Sequence, residues 1–204
     1  MTATCPHCQA ETDHKVLDHI NIDRNPALRN RVRDLSCFRV KCPNCGETML
    51  LVHPCLYHDM DNQFMVWLWP EQEAAPAAAF EPLAGYRLRL VRDLNGFREK
   101  IAVLEAGLDD RAVELMKLLL LMQLGHDLDV VELLFHELDA RTGELRFAAV
   151  LSDGAEQYAA MPGELYQRLR GDVETYLYTP GGDFQCIDME WARQTFELLR
   201  EMGA

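Results

Sequence analysis

TCPHCQAET, residues 4–12, and KCPNCGET, residues 41–48, each carry two cysteines separated by two residues. This gap lets one tight turn bring both sulfurs to about 2.3 Å from a single ion, and two facing turns complete a tetrahedral cage. The spacing therefore predicts one structural zinc ion per chain, held by Cys5, Cys8, Cys42 and Cys45.

The residue after each cysteine pair also affects the turn. Gly46 follows the second pair, and a residue without Cβ adopts positive φ easily and can aim its backbone N–H at a sulfur. Gln9 occupies the equivalent place after the first pair. We therefore expect the first turn to be the less typical of the two.

The tetrapeptide C-P-H-C is also compatible with redox chemistry, because C-x-x-C can lower a thiol pKa for disulfide exchange. It is similar to the active site of thioredoxin-fold oxidases, in which the pair follows a core strand and opens a helix. Only four residues precede Cys5, and residues 9–18 lack a strong helical stripe. Redox chemistry also leaves the second tetrapeptide unexplained, so we favour the metal.

Composition indicates a globular protein. The chain has 204 residues, of which 49% are hydrophobic, enough for one sizeable domain or two small ones. The apolar run at residues 118–122 is far shorter than the roughly 20 residues that a membrane helix needs. The N-terminus shows no export signal, so we expect a cytoplasmic protein, in which the seven cysteines stay reduced.

Charge is unevenly distributed along the chain. Residues 1–70 carry 7 Lys and Arg against 8 Asp and Glu, a net charge of −1. Residues 71–204 carry 13 against 25, a net charge of −12. An acidic body repels phosphate backbones, which argues against nucleic-acid binding by the chain as a whole.

The clearest break in composition is the proline- and alanine-rich stretch at residues 69–85. We expect a zinc-ribbon-like unit over residues 1–70, an extended linker over 71–85 and an acidic α+β domain over 86–204.

In the first unit, the pattern predicts a helix starting at Asn25 with Leu28, Val32 and Leu35 on one stripe. The rest of this unit is predicted to form strands around the cysteine turns. Later in the same unit, alternation through Phe64, Val66 and Leu68 predicts a strand.

The elements predicted after the linker alternate between strands and helices. We expect strands at 86–92 and 183–189, a hairpin over 130–154, and helices at 93–107, 109–125, 162–177 and 190–202. The helix at 109–125 is apolar around most of its circumference, so it should be buried centrally or at a subunit contact. Together these elements predict an α+β fold.

The densest remaining group of potential ligands contains His53, Cys55 and His58, with Asp59 and Asp61 nearby. It suggests a second metal or a thiol–imidazole site, and hence an enzyme with a site between the two halves. The alternative is a turn between two strands with solvated histidines, which we favour. The lone thiols Cys37 and Cys186 occupy apolar, strand-like contexts and are predicted to be buried.

A group of basic residues lies beside the second cysteine pair: Arg24, Arg29, Arg31, Arg33, Arg39 and Lys41. Such a face can bind nucleic acid, particularly with aromatic stacking. Phe38 is the only aromatic residue interleaved with these basic residues, and its alternation with Val40 places it inward. We therefore favour a helix face whose basic side chains are solvated and do not bind nucleic acid. Trp67 and Trp69 should share one face of a strand.

Catalytic motifs are absent from the sequence. Asp109 with Asp110, and Asp127 with Asp129, are better explained as helix-start and turn residues than as acid/base pairs. We find no phosphate-binding glycine loop, serine elbow or His-Glu-x-x-His segment. We therefore expect a protein without enzymatic activity.

Four stretches together resemble the CpXC domain, a prokaryotic family with two Cys-Pro-x-Cys motifs: CPHC, HINIDRNPALRNRVRD, CPNCG and CLYHDMDNQFMVWLWP. The resemblance extends over about residues 1–125. It implies zinc binding by Cys5, Cys8, Cys42 and Cys45 and supplies no catalytic residue. The resulting hypothesis is a protein-interaction or scaffold module that binds a protein or itself; the alternatives are a nucleic-acid-associated zinc ribbon and an enzyme.

Overall fold

The computed structural model describes residues 1–70, 85–124, 128–177 and 182–202. Within these ranges the chain is a mixed α+β protein, as predicted, with eleven strands and five α-helices. It divides into two compact units, Met1–Arg98 and Glu99–Ala204. Among the described residues, no helix combines the length and apolar character needed to cross a membrane.

Two antiparallel hairpins in the first unit have matching dimensions. Strand β1 (Thr2–Thr4) pairs with β2 (Glu11–Asp13), and β4 (Arg39–Lys41) pairs with β5 (Thr48–Leu50). Their connections, residues 5–10 and 42–47, each contain one C-P-x-C tetrapeptide. The predicted strands around cysteine turns are therefore present.

A four-stranded mixed sheet forms the rest of the β structure in the first unit. Its order is β3 (His19–Asn21), β6 (Cys55–Asp59), β7 (Phe64–Leu68) and β8 (Arg87–Val91). Strands β6 and β7 are antiparallel, whereas β3 and β8 run parallel to their neighbours.

Strand β8 follows the predicted linker in the sequence. It pairs with β7 and lies in the first compact unit, which ends at Arg98. The predicted linker, 71–85, lies outside the described residues except for Gly85.

The core of the first unit follows the predicted alternation. Phe64, Val66 and Leu68 are fully buried. Tyr57 stacks on Phe64, with ring centroids 5.9 Å apart, and Phe97 contacts Tyr57 edge to face. Met65, on the opposite face of β7, is buried as well, so this strand has buried side chains on both faces.

The predicted first helix is α1 (Ala27–Arg33), which buries Leu28 and Val32 as expected. Pro26, rather than Asn25, occupies the N-cap position. The helix ends before Leu35, which adopts a left-handed backbone with φ 58° and leads into a 3-10 turn at Ser36–Phe38. Leu35 therefore does not continue the helical stripe.

The second unit combines helices with an antiparallel sheet of order β11, β10, β9. The strands are β9 (Val130–Leu138), β10 (Leu145–Leu151) and β11 (Glu156–Met161). The helices are α2 (Leu94–Glu105), which spans the division, α3 (Asp110–Leu124), α4 (Gly163–Tyr176) and α5 (Met189–Met202). The four helices and the 130–154 hairpin confirm the prediction, whereas β11 was not predicted.

The strand predicted at residues 183–189 is wrong. Gln185 alone forms an isolated bridge there. The carbonyl oxygen of buried Ile187 accepts a hydrogen bond from Lys100 Nζ at 2.6 Å, so it is engaged by a side chain.

Candidate metal centre

The two cysteine turns have the same backbone hydrogen bonds. In the first, Gln9 N–H donates to the Cys5 carbonyl at 2.9 Å, and Cys5 N–H donates to the Ala10 carbonyl at 3.0 Å. The turn at residues 42–47 repeats both bonds, at 2.9 and 2.8 Å. Each pair of sulfurs is therefore presented by the same local geometry.

The structure brings all four predicted cysteines together. The sulfurs of Cys5 and Cys45 lie 3.7 Å apart, those of Cys8 and Cys42 lie 3.8 Å apart, and all four fall within 4.8 Å of one another. A tetrahedral ion with metal–sulfur bonds of about 2.3 Å has sulfur–sulfur edges of about 3.8 Å. The cluster is therefore suited to a metal ion, and all four cysteines are free of disulfide bonds.

Burial divides the four sulfur ligands into two kinds. Cys5 and Cys42, the first cysteine of each pair, are 1% exposed, whereas Cys8 and Cys45 are half-buried. Each turn thus contributes one interior and one peripheral sulfur. An ion at this position would have protein on one side and its two peripheral ligands towards solvent.

Hydrogen bonds and crowding separate the thiol pKa values. The Asn44 amide, 3.4 Å from the Cys8 sulfur, is the main cause that lowers the pKa of Cys8 to about 6. The Cys45 backbone N–H is the main cause that lowers the pKa of Cys42. The Glu47 N–H also acts to lower the pKa of Cys45, but burial and the neighbouring sulfurs raise it to about 12. A divalent cation would remove this competition between crowded thiolates.

Gln9 adopts the left-handed backbone that glycine favours. Its φ is 60°, compared with 80° at Gly46, and its side-chain amide donates to the Pro6 carbonyl at 3.0 Å. The first turn is therefore atypical in residue type but not in geometry. The repeated cysteine spacing was the signal that could have predicted this equivalence.

His53 is not directed towards Cys55 or His58. It is 3% exposed, and its ring nitrogens lie 2.9 Å from the Leu51 carbonyl oxygen and 3.0 Å from that of Leu17. The ring bridges two backbone segments, and Phe38 packs against it with ring centroids 5.1 Å apart. These contacts explain His53 as a structural residue.

Cys55 and His58 project from opposite faces of β6, because they are three residues apart in a strand. Cys55 is fully buried, and burial raises the pKa of its thiol. The His58 ring lies 3.4 Å from the Tyr86 hydroxyl, and burial lowers its pKa. Within the described ranges, the four-cysteine cluster is the only group of three or more potential ligands close enough to hold a metal.

The predicted turn with solvated histidines around His53, Cys55 and His58 is partly wrong. Residues 55–59 form a strand, and both histidines are buried rather than solvated. The chain reverses after β6, where Asn62 donates its backbone and side-chain N–H groups to Asp59 at 2.9 and 2.7 Å. Asp59 is fully buried, and Arg29 lies 3.7 Å from its carboxylate.

The two lone thiols differ from each other. Cys37 is buried, as predicted, although it lies in the 3-10 turn rather than in a strand, and burial raises its pKa to about 11. Cys186 is only half-buried and lies outside any strand, which corrects the prediction.

The basic residues near the second turn are largely exposed, apart from half-buried Arg29. Hydrogen bonds from Ser36, with smaller contributions from Arg39 and Arg31, lower the pKa of Asp34. Phe38 is 1% exposed, so it cannot stack on a nucleic-acid base. The basic residues therefore offer positive charge, but the aromatic side chain interleaved with them is not available for stacking. Trp67 lies in β7 and Trp69 directly follows this strand, and their rings are in contact, with ring centroids 5.4 Å apart.

A buried charge cluster in the second unit was not predicted from the sequence. Its members are Glu99, Lys100, Asp110, Glu114 and Lys117. Lys117 Nζ lies 2.9 Å from Glu99, and Lys100 Nζ lies 3.2 Å from Asp110 and 3.3 Å from Glu114. The apolar character of α3 correctly predicted its burial, but these charges are buried with it.

The paired carboxylates occupy different environments. Asp109 accepts a hydrogen bond from Arg111 N–H at 3.0 Å directly before α3, consistent with a helix start. Asp110 instead belongs to the buried charge cluster. Asp127 lies outside the described residues, and Asp129 directly precedes β9, where its carbonyl oxygen accepts Ser152 N–H at 3.0 Å.

Comparison with known proteins identifies one family. A family model described as CpXC protein matches residues 3–117, which include both cysteine turns and the start of α3. No curated protein and no solved structure matches the chain.

Proposed function

Because the chain belongs to the CpXC family, we propose that Cys5, Cys8, Cys42 and Cys45 hold one structural zinc ion. The arrangement of the four sulfurs carries this proposal: two turns with the same hydrogen bonds face each other, with 3.7 Å between the sulfurs of Cys5 and Cys45 and 3.8 Å between those of Cys8 and Cys42. Four thiolates fill a tetrahedral zinc site and leave no position for a substrate or an activated water. This chemistry supports a structural ion rather than a catalytic one.

The short hairpins explain why the protein would need the ion. Strands β1, β2, β4 and β5 have three residues each, and isolated two-stranded hairpins are marginally stable in water. Apparent zinc binding contributes about 10–16 kcal/mol in small zinc domains. The ion would tie together two hairpins whose sulfurs are 34 and 40 residues apart in sequence.

Metal analysis of the full chain tests this role. We expect one zinc per chain after purification without added chelator, and loss of that zinc in Cys5→Ser and Cys42→Ser. Cys186→Ser is the matched control, since Cys186 lies outside the cluster, and it should retain the zinc. Substoichiometric metal together with fully folded hairpins, measured by hydrogen exchange over residues 1–50, would contradict the proposal.

Beyond the ion, we propose a non-enzymatic, cytoplasmic protein-interaction or scaffold role, with a protein or a second copy as partner. The support is chemical: the family resemblance supplies no catalytic residue, and the His53, Cys55 and His58 side chains do not converge. Sedimentation velocity across protein and salt concentrations tests self-association. Concentration-dependent mass would support a second copy, and a single monomeric species at all concentrations would exclude a second copy as the partner.

Nucleic-acid binding through the exposed arginines is the less favoured alternative. Labelled DNA and RNA should show no salt-dependent binding, because the chain carries a net charge of −13 and Phe38 is buried. Binding that weakens steeply with salt, and that is lost in an Arg31→Glu, Arg39→Glu variant, would reverse this preference.

A further inference from the structure

The two cysteine turns differ at their third position, which is His7 in the first and Asn44 in the second. Asn44 reaches across to the other turn, where its Nδ2 donates to the Cys8 sulfur at 3.4 Å. The His7 ring is exposed, and among the described residues the groups acting on the Cys45 sulfur are the Glu47 N–H and the other three sulfurs. The hydrogen bond from Asn44 to Cys8 thus has no counterpart at Cys45.

The two peripheral sulfurs share their other contacts within the cluster. Cys8 and Cys45 are both half-buried, and each lies within 3.8 Å of the buried sulfur of the opposite turn. Each also accepts a backbone N–H from the residue two positions later, Ala10 or Glu47. The Asn44 amide is therefore the difference that can distinguish them chemically.

We propose that Asn44 is a positioning residue that makes the metal centre asymmetric, so that Cys45 is the first ligand to leave the ion. This inference deepens the proposed zinc site and rests on it. A donated N–H draws electron density from a thiolate, which lowers its reactivity towards protons and electrophiles. The same bond ties the Cys8 turn to the opposite turn, whereas Cys45, which is half-buried like Cys8, has no such bond from the side chain at the equivalent position, His7. Loss of zinc to a competing chelator therefore begins at Cys45.

Alkylation of the zinc-loaded full chain measures the asymmetry directly. N-ethylmaleimide adds to a thiolate through its carbon–carbon double bond, with the proton supplied by water, and mass spectrometry identifies the modified cysteine. Outer-sphere hydrogen bonds typically change metal affinity by about 10–100-fold, and Asn44 is exposed, so we expect Cys45 to react about tenfold faster than Cys8.

Substitutions at the two equivalent positions separate a positioning role from a general structural one. Asn44→Ala should bring the Cys8 rate up to the Cys45 rate and at most double total zinc release, because the Cys45 route already dominates. His7→Asn should place a donor near Cys45, slow its alkylation about tenfold and slow zinc release about fivefold. His7→Ala is the matched control and should change neither rate.

Two results would overturn the proposal: equal reactivity of Cys8 and Cys45 in the wild type, or an unchanged ratio of the two rates in Asn44→Ala. Zinc content is measured first on the same samples. Absence of stoichiometric zinc in the wild type would refute the structural zinc site itself, whereas stoichiometric zinc with equal reactivity would refute only the role of Asn44. The two failures are therefore distinguishable.

Discussion

Gln9 and Gly46 occupy equivalent places in the two cysteine turns and share a left-handed backbone, with φ 60° and 80°. This conformation costs most residues about 1–2 kcal/mol and costs glycine very little. A Cβ added at Gly46 would meet only Lys41 Cε, at 3.8 Å, so space does not limit substitution there. The cost of a side chain at this position therefore lies in the backbone.

We predict opposite effects from exchanging glycine at these two positions. Gly46→Ala should weaken zinc binding by about tenfold, the equivalent of about 1.4 kcal/mol, through backbone strain. Gln9→Gly should leave zinc binding unchanged or strengthen it, because relief of strain outweighs the exposed hydrogen bond to Pro6. Competition with a calibrated chelator measures both. A shift in the same direction for the two variants would contradict this explanation.

His53 should be required for stability and not for chemistry. His53→Ala removes the ring that lies between the Leu17 and Leu51 carbonyl oxygens, and a carbonyl left unsatisfied in this region costs roughly 1–3 kcal/mol. Urea unfolding should therefore show a clear loss in the free energy of unfolding, while the exposed His7→Ala control shows none. A free energy of unfolding in His53→Ala equal to that of the wild type would contradict a structural role for this histidine.

The buried charge cluster should be sensitive to loss of one partner. Lys117→Met leaves the buried Glu99 carboxylate without its cation and leaves Glu114 with Lys100 as its cation, and breaking such a pair typically costs about 3–5 kcal/mol. Arg170→Ala is the matched control, because its ion pair with Glu174 is exposed and should contribute at most about 1 kcal/mol. Unfolding free energies test the contrast, and similar losses in both variants would disprove it.

The same cluster predicts a pH dependence. Burial raises the pKa of Glu99 above its ordinary value of 4.5, even though Lys117 opposes this. The folded protein therefore holds this proton more tightly than the unfolded chain, so its contribution to stability is complete below 4.5 and decreases as pH rises through the folded pKa. The unfolding free energy of the wild type minus that of Glu99→Gln should fall as pH increases from 4 to 8. A difference that stays constant would show that Glu99 titrates alike in both states.

Local patterns in the sequence were sufficient for the cysteine turns and for most regular elements. A gap of two residues places two sulfurs on one turn whatever surrounds it, which is why both C-P-x-C segments could be assigned from their spacing alone. Alternation through Phe64, Val66 and Leu68 likewise depends only on near neighbours along one strand. The 130–154 hairpin follows from the same short-range rules.

Tertiary structure alone decided which polar groups are buried and what they contact. Nothing near Glu99 or Lys117 in the sequence shows that they meet inside the second unit, and the surroundings of His53 come from residues up to 36 positions away. The pairing of β8 with β7 similarly depends on where the chain returns after the stretch at 71–84. Spacing and periodicity reflect the conformation of a segment, whereas burial and partners depend on the distant segments that fold against it.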